Sequence, residues 1–129
     1  MVNLELQRVV VTGLGAITPL GNTVSAYWQG LLQGRSGIEP ITLFDASRHS
    51  CRIAGEVRGF DPSNYIARKD AKRMDRFAQF AVCASLQAIA DAGIAIDARD
   101  ATSVGVVIGS GIGGIKVLEE QQEIYLNRG

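Results

Sequence analysis

Histidine and cysteine are almost missing from this chain: one histidine, His49, and two cysteines, Cys51 and Cys83, among 129 residues. Two thiols cannot build a disulfide framework, and with one imidazole they cannot complete a four-ligand zinc site. A reducing compartment, the cytoplasm, is the expectation. Charge of one sign is also lacking, since 13 Lys and Arg cancel 13 Asp and Glu. No surplus of positive charge is therefore available for sequence-independent binding to nucleic acid. No apolar run approaches the ~20 residues that span a bilayer. The start, Met1-Val2-Asn3-Leu4-Glu5, carries neither the basic n-region and apolar stretch of a signal peptide nor the Arg/Ser bias of a transit peptide. Aromatics are sparse at 6%.

Glycine is plentiful. Fifteen glycines exceed the roughly 7% of average usage, and they fall between regular segments rather than in a linker. Arg8–Thr12 is a β-branched run ending at Gly13, read as a buried strand. Thr23 can cap a helix running to about Gln33, with Gly34 as its stop. Alternation from Cys51 to Val57 predicts a short strand with one wetter face, and Asp61-Pro62 predicts the start of a short helix. The longest expected helix runs from Ala71 to Ala92, with apolar residues at steps of three and four, many small alanines, and Gly93 to end it. Ser103–Gly109 reads as a second buried strand, followed by a helix from Ile115 to about Asn127. This order defines an α/β class. Two clear strands and one short one are too few to cover the long apolar helix, so the chain reads as the first part of a larger domain.

Four features carry possible chemistry. Gly109-Ser110-Gly111-Ile112-Gly113-Gly114 satisfies the dinucleotide fingerprint with Gly109, Gly111 and Gly114 in its glycine positions. That motif also needs an acid about twenty residues on, at the end of the next strand, and only fifteen residues follow Gly114. Cys83 lies mid-helix among alanines, where packing is the simpler role, since a reactive thiol wants an electropositive and partly open setting. His49 and Cys51 are close in sequence, but no orienting carboxylate accompanies them. The fourth feature is a cluster, Arg68, Lys69, Lys72, Arg73 and Arg76, opposed only by Asp70 and Asp75. On a continuous helix Lys69, Lys72, Arg73 and Arg76 would share one face opposite Met74 and Phe77. Cations at a helix N-terminus oppose the macrodipole, so the pattern suits either a solvated face or an acidic partner.

Several segments together resemble the N-terminal part of the β-ketoacyl-acyl-carrier-protein synthases, the elongating condensing enzymes of type II fatty-acid synthesis. They are Val9–Gly15, Thr18–Asn22, Gly34–Ile38, Phe44-Asp45, Arg68–Asp75 and Ile108–Gly114, in family order and at family spacing over essentially all 129 residues. Ile112 places the chain nearest the synthase II branch. The resemblance implies a thiolase-like fold, an α-β-α-β-α sandwich, of which residues 1–129 would be an incomplete N-terminal part. It implies acyl- and malonyl-loaded acyl carrier protein as partner, a homodimer, and no metal, nucleotide or other cofactor. The family's catalytic cysteine and two histidines would lie beyond residue 129, so the resemblance gives no catalytic residue to this chain, and the isolated polypeptide is expected to be inactive and poorly folded. It implies that Lys69, Lys72 and Arg73 dock the carrier, with Arg76 added from helical geometry, and that Ile112 gates the acyl pocket; without the family, Ile112 would read as a core plug beside Val107. Related readings are a polyketide ketosynthase or its non-catalytic chain-length partner; an NAD-binding oxidoreductase fragment and a free-standing interaction module are the others.

Overall fold

The computed structural model describes residues 8–129. Met1–Glu5, on which the reading of the start rests, lies outside them. Four helices, two minimal strands and two 3-10 turns follow one another: α1 (Val24–Leu32), β1 (Glu39–Pro40), β2 (Ile53–Ala54), a turn at Pro62–Asn64, α2 (Arg68–Ala71), α3 (Arg76–Ala92), a turn at Ala101–Ser103, and α4 (Ile115–Arg128).

Local chemistry sets most of the boundaries. The Thr23 side chain accepts from the Ala26 amide at 3.2 Å and caps α1. Gly34 ends that helix at φ 63°, and its N–H and that of Arg35 return to Leu31 and Gly30 at 3.0 Å. Asp61 caps the Pro62–Asn64 turn through the Ser63 amide at 2.9 Å. Gly93, at φ 63°, terminates α3.

The expected helix from Ala71 to Ala92 is interrupted. The chain makes one turn of helix, α2, tightens through Arg73 N–H to Asp70 O at 3.0 Å, and restarts at Arg76 with Asp75 as cap. Asp75 is extended, with ψ 160°, because its carboxylate takes the Arg76 amide. Two of the carbonyls at the break are taken up by one side chain: Gln79 donates to Ala71 O at 2.8 Å and Met74 O at 3.2 Å.

The two expected buried strands differ more sharply. Neither Arg8–Thr12 nor Ser103–Gly109 belongs to a sheet, and Val9 is 91% and Val107 98% exposed. A buried parallel strand needs a neighbour on each side, and the described residues supply none. The sheet they do form is the antiparallel pair β1–β2, with Glu39 opposite Ala54 and Pro40 opposite Ile53. There the expected alternation is not kept, because Ile53 points outward while Glu56 turns inward. The Glu56 carboxylate accepts from the Thr42 amide (2.8 Å), the Thr42 hydroxyl (2.6 Å) and the Leu43 amide (3.1 Å). The Thr42 bonds hold its pKa down at about 2.

Instead of pairing in a sheet, residues 13–16 lie along α3. Leu14 N–H donates to Asp91 Oδ2 at 2.9 Å and Ala16 N–H to Gln87 Oε1 at 3.1 Å. Gly13 and Gly15 press on the backbone of α3, where any Cβ would overlap the carbonyl oxygens of Ala88 and Ala84. The small residues of α3 thus seat a segment that is neither helix nor strand. Beneath it, the core is small: Ile66, Ala71 and Cys83, with Ile17, Phe60, Met74 and Val82 against them. Most large apolar side chains between Val104 and Leu126 remain exposed.

Candidate functional site

Two regions converge at the N-terminus of α3. The first is the basic segment. Lys69, Lys72 and Arg73 are exposed, and none of them is ion-paired among the described residues. Because the helix breaks between Ala71 and Arg76, the single four-cation face expected from a continuous helix does not form. Arg76 stands on a different helix, and its charge is engaged within the fold. Its guanidinium donates to Val57 O and lies 5.8 Å and 5.0 Å from the ring centres of Phe60 and Phe80, which meet edge to face at 5.0 Å. Cation–π contact and a charge-assisted hydrogen bond tie that charge to the 57–60 loop.

The second region is the Gly109–Gly114 turn. Ile112 adopts φ 53°, the one non-glycine residue at positive φ among those described. A β-branched residue there is strained, and such strain gathers at ligand clamps and switch regions. The side chain is 81% exposed and borders a depression shared with Ile115, Leu118 and Gln121. Ile112 is therefore not a core plug beside Val107 among the described residues. The turn rests on the start of α3: a Cβ on Gly113 would lie 2.7 Å from the Phe77 ring, and one on Gly114 3.1 Å from Asp75 Oδ2. Glycine is required at Gly114 for a second reason, its φ of 82°.

The other candidates do not assemble into a reactive centre. Cys83 is fully buried, and loss of solvent pushes its thiol pKa up, which disfavours the nucleophilic thiolate. His49 packs edge to face on Phe44 at 5.5 Å, while the Cys51 thiol turns to Ile53 O at 3.5 Å, so the two do not meet. Among the described residues no group of three or more His, Cys, Asp or Glu could hold a metal ion, and no helix is long and apolar enough to cross a membrane. Gly109, Gly111 and Gly114 precede α4 but follow a segment that is in no sheet, so the strand–turn–helix unit of the dinucleotide motif is not formed.

The sequence reading took Asp75 only as a charge and Phe77 only as part of an apolar stripe, and it missed Gln87. An aspartate immediately before an apolar periodic run is a cap signal and could have located the break. Gln87, which also donates to Asn22 O at 2.9 Å and Tyr65 Oη at 3.1 Å, left no such mark, because a glutamine inside a helix carries no pattern of its own.

What the described residues define is a supporting segment of a larger α/β domain: a helix seating two glycine-rich stretches, a basic edge without ion pairs among the described residues, and a strained apolar turn. Residues 6–128 match the family described as Beta-ketoacyl synthase, N-terminal domain, and the chain belongs to that family. It is 63% identical over all 129 residues to the 3-oxoacyl-[acyl-carrier-protein] synthase 2 of Synechocystis sp., spanning 31% of that protein's length. It is 45% identical to the enzyme of the same name from Vibrio cholerae, over 98% of this chain and 30% of that protein. Among solved structures, the ishigamide ketosynthase/chain length factor superposes with a TM-score of 0.69 at 35% identity, over 90% of this chain and 30% of that one. A beta-ketoacyl synthase from Burkholderia phymatum gives 0.67 at 31% identity, over 92% of this chain and 30% of that one. The chain thus spans about a third of the length of these relatives, and its fold is a partial α/β domain of the thiolase-like ketosynthase kind.

Proposed function

We propose that this chain is the N-terminal part of a condensing enzyme that joins an acyl group to malonyl-carrier protein with loss of carbon dioxide, in fatty-acid elongation. The observation that carries the reading is the 63% identity maintained along the whole chain to a 3-oxoacyl-[acyl-carrier-protein] synthase 2. In this reading a cysteine thiolate beyond residue 129 takes the acyl group as a thioester. Decarboxylation of the malonyl group leaves a carbanion that attacks the thioester carbonyl, while two histidines and backbone donors stabilise the developing charge. The present residues supply scaffold, docking edge and part of the acyl pocket, within a cytoplasmic homodimer. Lys69, Lys72 and Arg73 attract the acidic carrier; Arg76 braces the edge they stand on; Ile112 bounds the pocket. Residues 1–129 alone would not catalyse condensation.

A second reading, a polyketide ketosynthase or a non-catalytic chain-length partner, is supported by the 35% identity to the ishigamide ketosynthase/chain length factor. A cysteine in the nucleophile context downstream separates a catalytic chain from a non-catalytic one.

Charge reversal tests the docking edge. In the full-length protein, Lys69→Glu with Lys72→Glu is expected to lower kcat/KM for carrier-borne substrate about 10-fold or more at low ionic strength, and to flatten its salt dependence, because such charges chiefly steer encounter. Activity on a small thioester that bypasses the carrier should fall far less. Equal losses on both substrates would contradict docking at this edge.

A further inference from the structure

Helix α2, which carries Lys69, is a single turn with no side-chain cap, too short to hold its own shape in water. Its charges work against it as well. Arg68 with Lys72 and Lys69 with Arg73 are like charges four residues apart, a destabilising spacing on a helix. One residue of the turn, Ala71, is buried. Beside it lies a cavity of about 490 Å³ bordered by Asp61, Ser63, Arg68, Lys72 and Gln79, so close packing does not fill that side. The geometry of the basic edge is therefore set from outside it.

One face of α3 does this. Arg76, Gln79 and Phe80 stand at i, i+3 and i+4. Gln79 holds the C-terminal flank of α2, through the Ala71 and Met74 carbonyls at 2.8 and 3.2 Å. Arg76 and Phe80 hold the segment that leads into α2, through the Val57 carbonyl and the Phe60 ring. From there to the edge the chain is hydrogen-bonded in short steps. Ser63 N–H donates to Asp61, Tyr65 and Ile66 N–H to Pro62 O, and Asp70 and Ala71 N–H to Ala67 O. A hold at 57–60 is thereby carried to residues 67–71.

We infer, on the condensing-enzyme reading and its docking edge, that Arg76 and Gln79 are positioning residues, a clamp that fixes Lys69, Lys72 and Arg73 in place without touching the partner. The two sets of residues then act on different steps. The edge charges steer the encounter with an acidic carrier and respond to salt. The clamp keeps those charges in register once the carrier is bound, and so sets how slowly it leaves. Position 76 needs arginine, because one planar guanidinium covers two rings and reaches a carbonyl, which the point charge of a lysine does not combine.

Association and dissociation rates of carrier protein, measured on the full-length protein at several salt concentrations, test this with two charge-conserving variants. Arg76→Lys keeps the cation, and Gln79→Met keeps much of the volume but has no donor for the two carbonyls. Each should raise the dissociation rate about 2- to 10-fold, the worth of an exposed cation–π contact or a net hydrogen bond read as a ratio. The association rate and its salt dependence should stay as in the wild type, and so should turnover of a small thioester. Lys69→Glu with Lys72→Glu should instead slow association and flatten its salt dependence. Wild-type dissociation in both clamp variants, or equal losses on carrier and small-thioester substrates, overturns the clamp. So does slower, less salt-dependent association in Arg76→Met while Arg76→Lys matches the wild type, which would make Arg76 a docking cation itself. A wild type that does not bind carrier protein, or Lys69→Glu with Lys72→Glu binding it as the wild type does, overturns the docking edge, and the clamp with it.

Discussion

Gly15→Ala is expected to destabilise the full-length protein by about 3 kcal/mol or more, toward the upper end for forced overpacking. The new methyl group would be driven into the carbonyl of Ala84 and to 3.0 Å from the Ala88 amide nitrogen. Both are backbone atoms inside α3, so no side chain can swing aside, and relief requires the 13–16 segment to lift off the helix. That movement would break the bonds from Leu14 to Asp91 and from Ala16 to Gln87, at 2.9 and 3.1 Å, each worth about 1 kcal/mol net. The denaturation midpoint in urea, with the slope unchanged, is the measurement. A midpoint equal to wild type would mean that the segment does not press on α3 as described. A methyl group on Gly34 would meet no atom within 4 Å and would respond to the φ of 63° alone, so Gly34→Ala provides a conformational control of smaller cost.

Ile112→Phe is expected to reshape substrate choice instead of stability. The side chain is 81% exposed in this chain, so a larger group meets no local obstacle in the turn. If it bounds the acyl pocket, the added volume excludes the far end of a long chain, and close-packed walls yield only at a cost. The long-to-short ratio of kcat/KM should fall about 100-fold, within the range that a tight apolar pocket achieves by size. Ile112→Gly should act in the opposite sense, and should also relieve the positive φ that isoleucine tolerates poorly. An unchanged chain-length profile for Phe, with the melting temperature intact, would remove Ile112 from the pocket.

Features governed by a few adjacent residues could be read before any fold was known. Thr23, Gly34, Asp61-Pro62 and Gly93 act through their own backbone geometry or through an oxygen two or three residues away, and each stands where its chemistry placed it. The interruption at 72–75 was partly legible, in the aspartate before the apolar run. Periodicity concealed it, because apolar spacing continues across a one-turn break when the flanking helices face the same core. The segments 8–12 and 103–109 show the opposite case. A β-branched run states that the chain is fit to be a strand, but the ladder belongs to its neighbours, and no neighbour stands beside these runs among the described residues. Arg76 was legible only as a charge. Its direction was decided by Phe60, Phe80 and the Val57 carbonyl, which no helical-wheel argument includes. The family resemblance marked Ile112 and the basic edge, yet the approach of Gly114 to Asp75, close enough that a Cβ would lie 3.1 Å from Oδ2, brings together residues 39 positions apart and exists only once the chain has folded.

The most direct test is the formation of product by the full-length protein that contains this chain. Purified and supplied with acyl-carrier and malonyl-carrier protein, it should form 3-oxoacyl-carrier and release one carbon dioxide per condensation, and the polypeptide of residues 1–129 should form none. Condensation by residues 1–129 alone, or none by the full-length protein with any acyl-carrier substrate, would contradict the account.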